Sequence, residues 1–200
     1  MAVSTQPHLG LRERKRLKLL RTIQGEALRL FEAQGYEQTT VEQIAEAAET
    51  STTTFYRYFP TKEDVVFDDE YDSVIEAAAA SRPRDESPAA TIRAVVVAVV
   101  ESGEADSDRN LTRLRLMAAV PALDARFAAE ERKTTALITR VLAGRTGRPA
   151  DDYELVLVAA AVVAVLFTAT RRWAADQGAT PLAALIDQAL NTVEPILTTL

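Results

Sequence analysis

The sequence contains no cysteine and a single histidine, His8. The first absence excludes disulfides, thiolate metal sites, iron–sulfur clusters and cysteine nucleophiles. The second removes most zinc chemistry and most imidazole acid–base chemistry. Glycine and proline are sparse, seven and eight in 200 residues, and they fall mostly at breaks in a helical pattern. No apolar run opens the chain, so a secretory signal is not expected. The longest apolar stretch, Leu155 to Phe167, is shorter than the roughly 20 residues that a bilayer span needs. Acidic Asp151, Asp152 and Glu154 precede it, and Arg171 and Arg172 follow. These absences point to a cytoplasmic protein that has no membrane partner, needs no cofactor, and binds rather than catalyses.

A chain of 200 residues can bury a core without covalent staples. Its net charge of −6, taken whole, argues against a nucleic-acid partner. The charge is unevenly placed, however. Residues 1–62 hold nine Lys/Arg against seven Asp/Glu, while residues 63–200 hold fourteen against twenty-two. Within the first segment the basic residues concentrate in Arg12, Arg14, Lys15, Arg16, Lys18 and Arg21.

Hydrophobic spacing predicts an all-α fold of about nine helices. Leu17, Leu20, Ile23, Ala27, Leu30 and Phe31 recur at intervals of three and four, which predicts a helix over 11–34 with Gly35 as a left-handed cap. Thr40 and Gln43 have capping-box spacing and open a short helix. Ser51 caps another, ended by Pro60, and Thr61 with Asp64 repeats the box before a helix expected to run to about Ala80. A linker, Arg82 to Ser87, follows. Further helices are expected at 89–102, 108–119, 122–145, 151–176 and 180–198. The organisation is then a first domain over 1–62 and a second over 63–200.

Two helices of about two turns each are too short to stand alone. Those within residues 40–59 must pack on the helix before them, with Ile44, Ala45, Phe55 and Phe59 meeting Phe31 and Tyr36 in a shared core. A scaffold helix and two short helices around a tight turn make a helix-turn-helix, whose second helix can enter the DNA major groove.

The elements Leu30-Phe31 through Gly35-Tyr36, Thr39-Thr40-Val41 through Ile44-Ala45, and Thr54-Phe55-Tyr56-Arg57-Tyr58-Phe59-Pro60-Thr61-Lys62-Glu63 occur in order over about residues 12–70. In this the chain resembles the TetR family of bacterial transcriptional regulators. The resemblance implies a homodimer with an N-terminal DNA-binding domain and a C-terminal domain that binds a small ligand and dimerises. It implies phosphate contact at Thr40 and Lys62. It sets Thr52, Thr53 and Tyr56 on the groove floor, and Thr54 and Tyr58 near phosphates. Arg57 would reach phosphate or pair with an acid, and the basic segment containing Arg14 and Arg16 would track the backbone or the minor groove. Each position also has a plainer reading: a cap at Thr40, core aromatics at Tyr56 and Tyr58, a solvated basic helix face at Arg12 to Arg16. Where the family commonly has Ala-Gly-Val-Ser in the turn, this chain has Ala48-Glu49-Thr50-Ser51. Glu49 should therefore sit at a position that favours glycine. The opening Thr52-Thr53-Thr54 cannot make the bidentate base contacts of Arg, Asn or Gln, so DNA shape should carry part of the specificity.

Residues 63–200 show no catalytic constellation. Helix 151–176 is apolar nearly all round and must be covered on several sides. With helix 180–198 it is the natural homodimer interface. A small apolar or amphipathic ligand would lie among helices 89–176, lined by Leu114, Met117, Phe127, Leu137, Phe167 and Trp173; plain core packing is the alternative for each. Arg113, Arg115 and Arg171 are possible headgroup partners or simple ion pairs. The runs Arg113 to Leu123 and Arg171-Arg172-Trp173 are similar to an actinobacterial subgroup associated with mycofactocin gene clusters, which would imply an acyl-thioester-like ligand. The function expected is that of a repressor binding a palindromic double-stranded DNA operator as a dimer and released by a small molecule. The alternative is a helical carrier protein with a vestigial DNA-binding domain.

Overall fold

The computed structural model describes residues 10–67, 70–104 and 106–200. His8, and Asp68 and Asp69 of an acidic cluster, lie outside the described residues. Among those described there are nine α-helices and no strand. The chain divides into two compact units, Met1–Phe67 and Asp68–Leu200, here called the head and the body. The division falls after Phe67 rather than after Lys62.

The head contains α1 (Leu11–Gln34), α2 (Val41–Ala47) and α3 (Thr52–Tyr58), followed by one 3-10 turn, Glu63–Val66. α1 buries Ile23, Ala27, Leu28 and Phe31. Against these lie the buried side chains Tyr36, Val41, Ile44, Ala45, Phe55 and Phe59, as the spacing predicts. Phe31 and Tyr36 stand 5.0 Å apart between ring centroids, and Phe55 and Phe59 5.5 Å apart. Seven-residue helices have little stability of their own, so this apolar contact is what holds α2 and α3.

Two local expectations need correction. Gly35 has positive φ (90°) but ψ of 154°, so it is an extended mirror-region cap rather than a left-handed one. The helix expected from Thr61 to Ala80 is broken. Thr61 and Asp64 do bond reciprocally, the Thr61 N–H donating to Asp64 Oδ2 (3.0 Å) and the Asp64 N–H to Thr61 Oγ1 (3.2 Å). They open only the 3-10 turn, after which Phe67 is extended and α4 starts at Glu70. Val65, Val66 and Phe67 are all buried. Three successive residues sweep about 200° around an α-helix, so a tighter turn and an extended residue let all three face inward. Because that turn packs on α1, it belongs to the head.

The body consists of α4 (Glu70–Ala80), α5 (Pro88–Glu104), α6 (Ser107–Ala119), α7 (Pro121–Thr146), α8 (Tyr153–Ala175) and α9 (Leu182–Leu197). Its main core draws Ile75 from α4, Ile92 and Val95 from α5, Leu142 from α7, Leu155, Val158 and Val162 from α8, and Ile186 and Leu190 from α9. By length and composition α8 is apolar enough to cross a membrane. Here it packs against α6, α7 and α9 and buries Leu155, Val158, Ala159, Val162 and Val163. Asp152 caps it, accepting from the N–H groups of Glu154 (3.0 Å) and Leu155 (3.3 Å).

The α4–α5 linker is stapled rather than loose. Arg145 near the end of α7 donates to the carbonyls of Ala79, in the last turn of α4, and of Arg82 and Pro83, in the turn that follows. Glu86 accepts from Arg82 and, at 3.0 Å, from the Thr91 hydroxyl. These bonds, the Arg82 guanidinium first, hold the Glu86 carboxyl down at about 2.

Candidate nucleic-acid interface and ligand region

The outward face of α3 follows from its one buried side chain, Phe55. Thr53, Tyr56 and Arg57 lie on the opposite side and are exposed, Tyr56 to 50%. Tyr56 is held edge-on against Phe55, with centroids 5.5 Å apart, so an exposed ring has a fixed base. Thr52 and Thr54 are half-buried on the flanks. The Thr54 N–H donates to Ser51 Oγ at 3.1 Å, and the two hydroxyls bond at 3.0 Å. Thr54 is thus partly engaged in capping its own helix. Arg57, expected to reach phosphate or pair with an acid, lies over the Tyr58 ring at 4.8 Å. Arg16 of α1 lies over the same ring at 5.8 Å. The fold therefore brings Arg16, Arg57 and Tyr58 together into one cationic shelf, a grouping that spacing alone does not reveal. Arg14 is exposed on α1.

Thr40 is exposed and completes a full capping box. Its Oγ1 accepts from the Gln43 N–H (3.3 Å), and its own N–H donates to Gln43 Oε1 (2.9 Å). Gln34 of α1 braces the box, donating to Gln43 Oε1 (2.9 Å) and Thr39 Oγ1 (3.1 Å). Capping and an exposed face coexist here, so the plain and the functional readings of Thr40 are compatible. Between α2 and α3, Glu49 has φ of 51°, the left-handed geometry expected where the glycine is missing.

Lys62, expected to rest on phosphate, is half-buried just after α3. Its Nζ donates to the carbonyls of Tyr36 (3.0 Å) and Thr39 (3.2 Å) and sits 4.1 Å from the Tyr36 ring centroid. The Tyr36 hydroxyl donates to Glu63 Oε1 at 2.7 Å. Burial first, and then this carboxylate, push the Tyr36 phenol well above its usual range. Glu63 is partly desolvated, which opposes its ionisation. The Tyr36 hydroxyl, its own backbone N–H, Thr61 and Lys62 outweigh that cost and hold its carboxyl below the usual value.

In the body the six candidate ligand residues separate into two groups. Leu137 is a member of the main core, so its packing role is already accounted for. Met117, Phe127 and Trp173 are buried without belonging to that cluster, and Leu114 is half-buried on α6. Phe167, half-buried on α8 and packed against the main core, also meets Phe127 of α7 with centroids 4.8 Å apart. Arg171, one turn on, lies over the Phe127 ring at 4.7 Å and pairs with Asp124 at 2.8 Å. Trp173 sits by the turn after α8, where Gly178 has positive φ and a side chain would press on Leu111 and the indole. Arg113 reaches the Tyr71 hydroxyl at 3.2 Å, and Arg115 is exposed on α6. The surface of α8 carries an apolar stripe of its own. Tyr153 is 76% and Leu157 50% exposed, with Val156, Ala160 and Ala164 exposed along the same helix.

Residues 23–68 match the family model described as bacterial regulatory proteins, tetR family. Residues 86–198 match the model described as the MftR C-terminal domain. The HTH-type transcriptional regulator TcmR of Streptomyces glaucescens is 34% identical to the chain, over 97% of it and 91% of the relative. Among solved structures, Thermus thermophilus FadR, a TetR-family transcriptional repressor in complex with lauroyl-CoA, is 25% identical with a TM-score of 0.59. That match covers 87% of this chain and 92% of the other. A putative TetR-family regulator from Syntrophomonas wolfei superposes with a TM-score of 0.68 at 17% identity, covering 92% and 96% of the two chains.

Proposed function

The chain belongs to the TetR family of bacterial transcriptional regulators, and from that premise we propose that it is a cytoplasmic repressor that grips a palindromic operator as a homodimer and is released by an acyl-thioester ligand. The observation that carries the reading is α3, whose exposed face offers Thr53, Tyr56 and Arg57 over a buried Phe55. Tyr56 and the threonines supply ring edges, methyls and hydroxyls to base edges. Arg14, Arg16 and Arg57 supply the counterion-releasing contacts, with Thr40, Thr54 and Tyr58 beside phosphates. One helix of seven residues reads few base pairs, so a two-fold pair reading two half-sites is the economical solution.

The dimer forms through α8 and α9. Tyr153, Leu157, Ala160 and Ala164 share one face of α8, and Ile196 is the exposed large apolar residue of α9. Burying such a stripe against its own copy removes apolar area from water at about 25 cal/mol per Å2. The ligand occupies the region around Phe127, Phe167, Met117, Leu114 and Trp173. Arg171 is placed at its edge, able to exchange Asp124 for an anionic headgroup. The lauroyl-CoA bound by the Thermus relative supports the ligand class. A ligand that favours the wrong spacing of the paired α3 helices shifts the population away from the operator-bound form.

The test is a gel-shift titration against a duplex selected by the purified protein, with and without lauroyl-CoA. Tyr56→Ala should abolish the shift while leaving the oligomeric state unchanged. An unaltered shift with Tyr56→Ala removes α3 as the reading helix.

A further inference from the structure

The end of α8 buries two polar groups, one donor and one acceptor, that bond to nothing else among the described residues. We propose that Trp173 and Asp176 form a polar corner of the ligand region, where the indole N–H and a buried carboxylate oxygen together take a secondary amide of the ligand. This rests on the acyl-thioester reading above and names a further part of such a ligand that the body recognises.

Trp173 is only 6% exposed, yet its Nε1 donates to no described residue. Buried indoles usually find an acceptor. Oδ1 of Asp176 is buried as well and accepts from no described residue. An acceptor taken out of water without a donor costs stability. Asp176 also closes α8, where an acid faces the negative end of the helix dipole. Nothing in the fold therefore calls for a carboxylate at this position. Residues three apart share one side of a helix, so the donor and the acceptor stand side by side. The turn that follows leaves that side clear. The Gly178 N–H bonds back to Trp173 O at 2.9 Å, with φ of 77°. A Cβ on Gly178 would stand 3.5 Å from the indole nitrogen and 3.0 Å from Leu111 of α6. Leu111 lies one turn before Leu114 and two before Met117, and α6 packs on α8. The corner thus continues the apolar strip of the ligand region, at the end of α8 that also carries Arg171. An acyl chain lying along Phe167, Met117 and Leu114 would bring the groups beyond its thioester to this corner. In lauroyl-CoA the arm beyond the sulfur carries secondary amides, each with an N–H for Asp176 and a C=O for Trp173.

The test uses two thioesters of one chain length, S-dodecanoyl-N-acetylcysteamine, which carries the amide, and S-butyl dodecanethioate, which does not. Calorimetry measures both, with lauroyl-CoA and dodecylamine beside them, on the full chain, Asp176→Ala and Trp173→Phe. Wild-type protein should bind the amide thioester about tenfold more tightly than the butyl thioester, and both variants should lose that preference. The butyl thioester should bind all three proteins alike. Asp176→Ala should melt no lower than wild type without ligand, since its buried oxygen supports nothing in the fold. It decides the matter if Trp173→Phe does not fold. Trp173 is the one tryptophan of the chain, so its emission reports the corner directly, and the amide thioester should move it to longer wavelength. A preference that survives Asp176→Ala, a lower melting temperature in that variant, or emission unmoved by the bound amide overturns the corner. Dodecylamine binding more tightly than the amide thioester would assign the corner to a cation and overturns it too. Thioesters that bind wild type alike overturn the corner alone. Lauroyl-CoA and both thioesters failing to bind overturns the acyl-thioester reading, and the corner with it.

Discussion

The head and the body of this chain are both helical, yet they are ordered by different means. In the head, two helices of seven residues are fixed by side-chain caps, a buried phenylalanine pair and a polar clasp between distant residues. In the body, helices of up to 26 residues rely on broad apolar faces, with polar bonds confined to their ends and rims. Short helices have too little apolar area to set their own orientation, so the head needs directional bonds. That orientation is what a DNA-reading element must get right. Long helices can slide or tilt on apolar faces at modest cost, which suits a unit whose proposed task is to change state with a ligand.

The comparison breaks most severely at the α8 stripe. Leu157→Glu should leave the fold of each chain intact but put a charge into the proposed two-fold interface. Sedimentation should then show monomer, and operator affinity should fall by more than about a hundredfold, since one half-site remains. A stable dimer with Leu157→Glu removes α8 from the interface. Next is the aromatic pair of the body. Phe127→Ala deletes a buried ring and should cost about 3–5 kcal/mol in denaturant unfolding. Bound lauroyl-CoA should recover part of that loss if it fills the vacated space, and no recovery would speak against a ligand site at this pair.

Smaller effects sharpen the account of the head. Glu49 carries a side chain in the left-handed region at φ of 51°. Glu49→Gly relieves a strain of about 1 kcal/mol and should raise the melting temperature by a few degrees. An equal or lower value would mean that the turn is not strained. Smallest is the pH effect of Glu63. Its carboxyl is held below the usual range in the folded head, so it adds stability above its unfolded pKa, and that contribution is lost as pH falls through its lower folded value. Glu63→Gln should therefore flatten the acid limb of the head's melting curve and leave the neutral limb parallel. An acid limb unchanged by this variant would assign the sensitivity elsewhere.

Much of the head was legible in the sequence because its signals are local. The Thr40 and Gln43 box, the Ser51 cap and the inward turn of Phe55 and Phe59 depend on residues three or four apart. The positive φ of Glu49 follows from one substitution in a short turn. The bonds of Lys62 to the loop before α2 were not legible, since its partners lie 23 and 26 residues away. Nor was the shelf of Arg16 and Arg57 on Tyr58, which joins two helices. The break before α4 was hidden because Thr61 and Asp64 make the bonds of a helix start without a long helix behind them. From α5 onward, helix ends fell within two residues of expectation, because apolar periodicity marks them well. The ligand residues resisted for the same reason. Leu137 and Phe127 share one helix and one chemistry, and only packing separates a core position from a ring stacked on Phe167.

The central claim is that an acidic chain carries a DNA-reading head, with its basic residues gathered at the start of α1, whose grip on DNA a ligand releases. That claim is tested most directly by measuring operator affinity as a function of salt, with and without lauroyl-CoA. The account predicts that log affinity falls linearly with log salt, and that the ligand lowers affinity at every salt concentration. An affinity that does not respond to salt, or that lauroyl-CoA raises, would contradict it.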